Sequence, residues 1–272
     1  MINKDKVLIS IIIVSLNTKQ KLEATINSIR KQSYNNFEVI VIDGLSNDGS
    51  VETIHKNKDI LDKYLIEKDE GIYDAMNKGI RLAEGVWTIF LNSGDIFYNE
   101  NTLLSFSNIL KKKEEEVIYA DTLVVNINIK YCLFSRNFNH KTRKIPFCHQ
   151  SSFTKTYVLS NNLFNLDYKI SSDFDLFLRL YKQKKKFTKI NMIIAQIETG
   201  GLSDTNRFKS LKENFDILRK NRMLTISRLT IIFDFVYLFI TKIIKILITN
   251  NLINNLLKLK YYISQKIKNK KK

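Results

Sequence analysis

The chain has 272 residues and is 44% hydrophobic, enough to bury a sizeable core, which excludes a disordered or disulfide-stapled polypeptide. Its two cysteines, Cys132 and Cys148, form no C-x-x-C pair; this argues against a disulfide framework or structural zinc site and fits a reducing interior. The net charge of +17 is unevenly placed, since from Thr205 onward 16 Lys/Arg face three acids (Glu213, Asp216 and Asp234) and the last quarter carries +13 of the total.

Residues 7–15 (VLISIIIVS) are a continuous apolar run that reads as a strand buried on both faces. The run has no small-residue cleavage site and is not read as a signal peptide. Leu22, Ile26 and Ile29 mark one face of a helix over 19–32. Residues 37–42 form a second strand ending at Asp43-Gly44, a helix follows Asp48-Gly49, and 64–66 form a third strand. Ile72, Met76, Ile80 and Ala83 step along another helix, with Asp74, Asn77 and Lys78 on its outward side and Gly85 placed to stop it. A fourth strand, 86–91, ends at Asn92-Ser93-Gly94-Asp95. Strands alternating with helices predict an α/β fold, a mostly parallel central sheet flanked by helices. Beyond residue 111 the pattern is less regular, with strands expected over 117–129 and 187–197 and a helix over 172–182.

Ligands of such sheets bind outside the carboxyl ends of the strands, where Asn17, Asp43, the 67–70 segment and the 92–95 loop gather. No G-x-G-x-x-G follows the first strand and no G-x-x-x-x-G-K-[ST] occurs, which counts against dinucleotide oxidoreductases and P-loop enzymes. Acidic loops would repel a diphosphate unless a divalent cation bridges the two, because hard cations take oxygen ligands from both. Asp43, at the tip of an apolar strand, can accept hydrogen bonds from a base or ribose, whereas Asp48 and Ser50 read as helix caps. Asp95 stands just beyond an apolar strand, where a metal ligand would be needed, although N-S-G-D also describes a common turn.

The ordered set I-I-I-V-S-L-N, V-I-D-G-L-S-N-D-G-S, D-E-G-I-Y-D-A-M-N-K-G-I and F-L-N-S-G-D resembles glycosyltransferase family 2, and in particular its bacterial branch that builds O-antigen, capsule and other surface polysaccharides. The resemblance runs from about residue 7 to 203. It implies a GT-A fold, a nucleotide-sugar donor (often a UDP-sugar), a divalent cation such as Mn2+ or Mg2+, and inversion at the anomeric carbon. By position it implies a donor site of Ser15, Asn17, Asp43, Gly44, Asp74, Asn77, Lys78, Asn92 and Ser93. The 92–95 loop occupies the place of the metal-binding D-x-D; the first acid is replaced by Asn92 and the usual second by Gly94, which leaves Asp95 as the only carboxylate, expected to contact the metal or the ribose. Asp173, in S-S-D-F-D-L-F-L-R-L, matches the family's E-D-x-D-L-x-L-R-L and would be the general base that an inverting transfer requires, with Asp175 as the second choice. A helix cap is the bland alternative for Asp173. His149, in H-Q-S-S-F, would serve near the acceptor or diphosphate, and the Gly200-Gly201 turn could offer N–H groups to the diphosphate.

The resemblance divides the chain into a catalytic domain, 1–204, with a nucleotide-sugar half over about 1–100 and an acceptor half over about 101–204, and a basic helical tail, 205–272. Within the tail, residues 229–263 cluster Ile, Leu, Phe and Tyr but contain no apolar stretch near the ~18 residues of a spanning helix. A basic amphipathic helix in the membrane interface fits, with Lys266, Lys268 and Lys270 to Lys272 drawn to anionic lipid; a hairpin packed on the domain is the alternative. The thick aliphatic face disfavours nucleic acid. Together these predict a transferase at the inner, cytoplasmic face of the cell membrane, acting on a glycan or polyprenyl-linked glycan. A sugar-1-phosphate nucleotidyltransferase and a non-catalytic protein retaining the fold are the competing classes.

Overall fold

A computed structural model describes residues 7–110, 114–126, 129–139, 142–223, 236 and 240. Strand β1 (Ile9–Ser15) is buried along its whole length. It pairs in parallel with β2 (Phe37–Asp43) on one side and β4 (Trp87–Phe90) on the other, and β3 (Lys63–Ile66) extends the sheet beyond β2. Helices α1 (Lys19–Arg30), α2 (Ser50–Lys56) and α3 (Ile72–Leu82) make the crossovers. The unbroken apolar run of β1 follows from being covered twice. Ile12 and Val14 pack in one core cluster with Met76 and Ile80 of α3, and Ile11 and Ile13 in the other with Leu22, Ile26 and Ile29 of α1, as the two-residue alternation of a strand demands.

Two expectations are corrected here. Helix α3 is buried almost all round, and Asn77 does not face outward: its amide donates to the Phe164 carbonyl and its Oδ1 accepts the Phe164 N–H, both at 2.9 Å. Gly85 does not stop the helix, which ends at Leu82 with Ala83 extended. Its value is close approach, since a Cβ there would stand 2.6 Å from the Ser10 backbone nitrogen. The Gly85 N–H donates instead to Ser10 Oγ and to Glu38 Oε1, each at 2.9 Å. Glu38, only 3% exposed, also accepts from Ser10 Oγ, the Glu84 N–H and Lys63 Nζ.

The second half adds β5 (Ile96–Phe97), α4 (Thr102–Leu110), β6 (Val117–Asn126), β7 (Ile129–Leu133), β8 (Ser152–Lys155), α5 (Thr156–Ser160), α6 (Ser172–Lys182) and β9 (Phe187–Glu198). The strand order is β3-β2-β1-β4-β8-β6-β9-β5, with β7 on β6. Strand β8 runs antiparallel to both β4 and β6, β5 antiparallel to β9, and β6 parallel to β9. The sheet is therefore mixed rather than mostly parallel: its first half is parallel, and the chain returns to its centre through a four-residue strand of opposite direction.

After β9 come α7 (Leu202–Thr205) and α8 (Arg207–Lys220). Although the sequence places α8 in the basic tail, it buries Ile217 and Leu218 in the core. The Glu213 carboxylate accepts the N–H groups of Lys169, Ile170 and Ser171. Apart from Val236 and Ile240, the amphipathic stretch 229–263 and the terminal lysines lie outside the described residues. No helix among the described residues is long and apolar enough to cross a membrane. Neither Cys132 nor Cys148 forms a disulfide.

Candidate active site

A cleft of about 640 Å³ opens at the carboxyl ends of β1 and β4. One wall comes from the end of β1 (Ser15, Leu16), the 69–75 segment at the start of α3, and Asn92 and Ser93. The opposite wall comes from the loop before α6 and from α7 and α8, including Tyr168, Lys169, Ile170, Leu202, Asn206 and Lys209.

Beneath the cleft runs a chain of polar contacts. Asn92 Nδ2 lies 3.4 Å from His149 Nε2, and His149 Nδ1 lies 3.3 Å from Asp173 Oδ2. The Tyr73 hydroxyl donates to the Ile170 carbonyl at 2.8 Å and reaches Asp173 Oδ1 at 3.4 Å. Thus two residues that line the cleft, Asn92 and Tyr73, are the ends of a chain whose middle is His149 and Asp173. With the His149 proton on Nδ1, Asn92 Nδ2 donates to the ring and the ring donates to the Asp173 carboxylate, while the Tyr73 hydroxyl, its proton donated to the Ile170 carbonyl, lies near Asp173 Oδ1. Contacts of 3.3–3.4 Å are typical of catalytic hydrogen bonds before substrate tightens them. The N-cap residue of α6, Ser171, makes no side-chain cap hydrogen bond, but Asp173 Oδ1 accepts the Phe174 N–H in the first turn at 2.8 Å, so Asp173 also braces the start of the helix, as the bland alternative has it. Asp175 is turned away; buried, it accepts from Arg179 Nε at 2.8 Å, and Arg179 Nη2 holds the Leu163 carbonyl.

Asp95 sits deeper, 8% exposed, and accepts from Gln150 Nε2 at 3.1 Å. Burial pushes its pKa up to about 7, against the pull of His149 and of the Gln150 hydrogen bond. Burial also pushes the Cys148 thiol up to about 12, and that S–H donates to Gln150 Oε1 at 2.9 Å, which turns the other end of the amide towards Asp95. Asn92 Oδ1 is buried and has no hydrogen-bond partner. The loop is fixed by α1: Thr25 Oγ1 donates to the Asp95 carbonyl and accepts the Gly94 N–H, and Thr18 Oγ1 donates to Ser93 Oγ.

The remaining donor residues have mixed placements. Ser15, Asp74, Asn92 and Ser93 line the cleft. Asp43 is fully buried, and its two carboxylate oxygens accept the Ser46 N–H and hydroxyl, bracing the turn after β2. Asn17 ties to the same turn, its N–H donating to Ser46 Oγ and its Oδ1 accepting the Asn47 N–H. Gly44 lets that turn lie against Asp69, whose Oδ2 would be 2.7 Å from an added Cβ. Lys78 pairs with Glu67 and Asp74 and donates to the Lys68 carbonyl, Asn77 belongs to the core, and Gly201 lies beside the lining residue Leu202. Sequence reasoning missed Tyr73, Gln150, Ser46 and Glu213. Gln150 and Tyr73 lay inside quoted motifs, but only the fold shows what they touch.

Comparison with known proteins identifies the family. The chain is 30% identical over 211 residues to the PGL/p-HBAD biosynthesis glycosyltransferase of Mycobacterium bovis BCG, covering 72% of this chain and 79% of that one. It is 25% identical over 235 residues, 78% of this chain and 86% of the relative, to the Escherichia coli UDP-Glc:alpha-D-GlcNAc-diphosphoundecaprenol beta-1,3-glucosyltransferase WfaP. Among solved structures, Staphylococcus aureus TarS 1–349 in complex with UDP-GlcNAc superposes with a TM-score of 0.64 at 19% identity, over 78% of this chain and 64% of that one. The Pyrobaculum calidifontis mannosyltransferase PcManGT, in complex with GDP-Man and Mn2+, gives a TM-score of 0.62 at 14% identity, over 80% and 65%. These two likenesses establish the fold as that of GT-A transferases. The profile of Glycosyl transferase family 2 matches residues 10–184, so this chain, with its cleft at the strand ends, belongs to glycosyltransferase family 2.

Proposed function

We propose that the protein transfers a sugar, with inversion, from a nucleotide sugar of the UDP type to a hydroxyl of a lipid-linked glycan in surface-polysaccharide assembly. The observation that carries this reading is the chain Asn92–His149–Asp173–Tyr73, which sets a carboxylate behind the cleft wall and links it to the lining residues Asn92 and Tyr73 at its two ends. Asp173 takes the proton of the acceptor hydroxyl as that oxygen bonds to the anomeric carbon and the bond to the nucleoside diphosphate breaks. His149 and Tyr73 orient the carboxylate. Ser15, Asp74 and Ser93 face the donor from the cleft wall, while Asp43, Gly44 and Asn17 act by shaping the 43–50 loop that flanks it. The E. coli relative's name supports a diphospholipid-linked acceptor, and PcManGT, solved with GDP-Man and Mn2+, supports a cation-assisted donor site.

The residues at the D-x-D position fit a divalent cation, Mn2+ or Mg2+, through their chemistry. Asn92 Oδ1 is a buried oxygen without a donor, and the Asp95 carboxylate has one side-chain donor, Gln150. Among the described residues no group of three or more His, Cys, Asp or Glu could by itself hold a metal ion, so Asp95 and Asn92 would hold the cation together with the donor's own oxygens. When bound it would neutralise charge on the departing diphosphate. The basic stretch 229–263 is proposed to lie on the inner face of the cell membrane.

Asp173→Asn tests the reading. Transfer should fall by about 10²–10⁴-fold, the usual contribution of a general base, while UDP binding by calorimetry stays within twofold of wild type. Wild-type turnover in this variant would remove Asp173 from the chemistry.

A further inference from the structure

The two walls of the cleft differ in charge. The donor-side wall carries Asp69, Glu70 and Asp74, whereas the charged residues lining the opposite wall are Lys169 and Lys209. Both lysines are exposed. Lys169 Nζ reaches only the Glu70 carbonyl, at 3.4 Å, and Lys209 pairs with no acid among the described residues. Glu213 joins the elements that bear them, since it sits on α8 with Lys209 and grips the backbone N–H of Lys169 itself. Beside the lysines, the lining residue Leu202 is 48% exposed. Ile170, in the same wall, is the residue whose carbonyl receives the Tyr73 hydroxyl that also reaches Asp173.

From this arrangement we infer that the 168–170 and α7–α8 wall is a subsite for the diphosphate of a prenyl-diphosphate acceptor: Lys169 and Lys209 hold the phosphates, and Leu202 meets the first isoprene unit. This deepens the transferase reading and rests on it, because the reading places the acceptor hydroxyl at Asp173. The chemistry is that of a compact ammonium as a point-charge partner for phosphate, set against exposed apolar surface that an aliphatic chain can cover. A nucleoside diphosphate presents the same phosphates without the chain, and this difference separates acceptor from donor.

The test uses the full chain, with farnesyl diphosphate as probe and farnesol, inorganic diphosphate and UDP as comparators, titrated by calorimetry. Wild type should bind farnesyl diphosphate at least tenfold more tightly than farnesol or inorganic diphosphate. Lys169→Ala and Lys209→Ala should each weaken it about five- to tenfold, and Lys209→Arg should stay within about threefold of wild type. The affinity for UDP should not change in any of them. Both side chains are exposed, so an unchanged melting temperature confirms intact variants. Equal binding of farnesyl diphosphate by wild type and both alanine variants would overturn the subsite, as would a parallel loss of UDP affinity, which would assign the lysines to the donor. Slow hydrolysis of a nucleotide sugar without acceptor, unaltered in the lysine variants, reports separately on the transferase reading.

Discussion

Glu38 and Asp95 are both buried carboxylates, one at the amino edge of the sheet and one at its carboxyl edge, and the protein treats them in opposite ways. Burial pushes the Glu38 pKa up, but Ser10, the Glu84 and Gly85 N–H groups and Lys63 outweigh it and hold the group below its ordinary value. Asp95 receives one side-chain donor, Gln150, and burial wins, raising it to about 7. A carboxylate surrounded by donors joins strands; one left short of donors in a ligand-facing loop has capacity for a substrate or cation. The amino edge spends its hydrogen bonds on stability, and the carboxyl edge keeps some unspent.

The sharpest way to break this contrast is Glu38→Gln, which turns an NH2 group towards an array of donors. It should lower the unfolding free energy by about 4 kcal/mol, the range for breaking a buried charged network, as read by urea denaturation at pH 7. The wild-type contribution of Glu38 is present above the ordinary carboxylate range and is lost as pH falls through its depressed folded value. Asp95→Asn should do the reverse. From pH 4 to 7 the unfolded chain releases the Asp95 proton that the folded chain retains, so wild type loses stability across that window and the loss stays constant above it. The variant should therefore gain roughly 4 kcal/mol over wild type at pH 8, at about 1.36 kcal/mol per pKa unit, and nothing near pH 3, while its KM for the donor rises. Equal gains at both pH values would show that Asp95 is not held near 7.

Smaller effects sharpen the comparison. Glu213→Ala removes the acceptor of three N–H groups, one on the exposed Lys169 and two on the buried Ile170 and Ser171, and should cost about 1–3 kcal/mol and raise the KM for the acceptor while that for the donor holds. Asn92→Ala should change stability by less than about 1 kcal/mol, because its buried Oδ1 has no partner to lose; thermal melts check this, and donor KM should rise nevertheless.

Legibility followed the same division. Strands β1, β2 and β4 and helices α1 and α3 came within a few residues of expectation because each is covered on fixed faces, which imprints a period on the sequence. Helix α6 was placed at its observed bounds, 172–182, for the same reason. Strand β8 escaped because its four residues, S-F-T-K, carry no period, and only its pairing with β4 and β6 makes it a strand. Strand β5, two residues long, escaped likewise. At the site, the family resemblance pointed to Asp95, His149 and Asp173; the fold sets His149 beside Asp173 and Gln150 beside Asp95. Asn77 was misjudged because helical periodicity cannot show that a loop 87 residues away will cover the outer face of α3. Tyr73 reads as core apolar until its hydroxyl is seen to reach Asp173.

The grip of Glu213 on residues 169–171 also bears on how the enzyme comes into being. The 69–75 and 92–93 wall of the cleft belongs to elements that are complete by residue 97, but the wall facing it gains its anchor only once α8 has been made. During synthesis the nascent chain therefore carries one wall of the cleft without its anchored counterpart until nearly four-fifths of it has been translated. A ribosome stalled before residue 213 would display half a cleft.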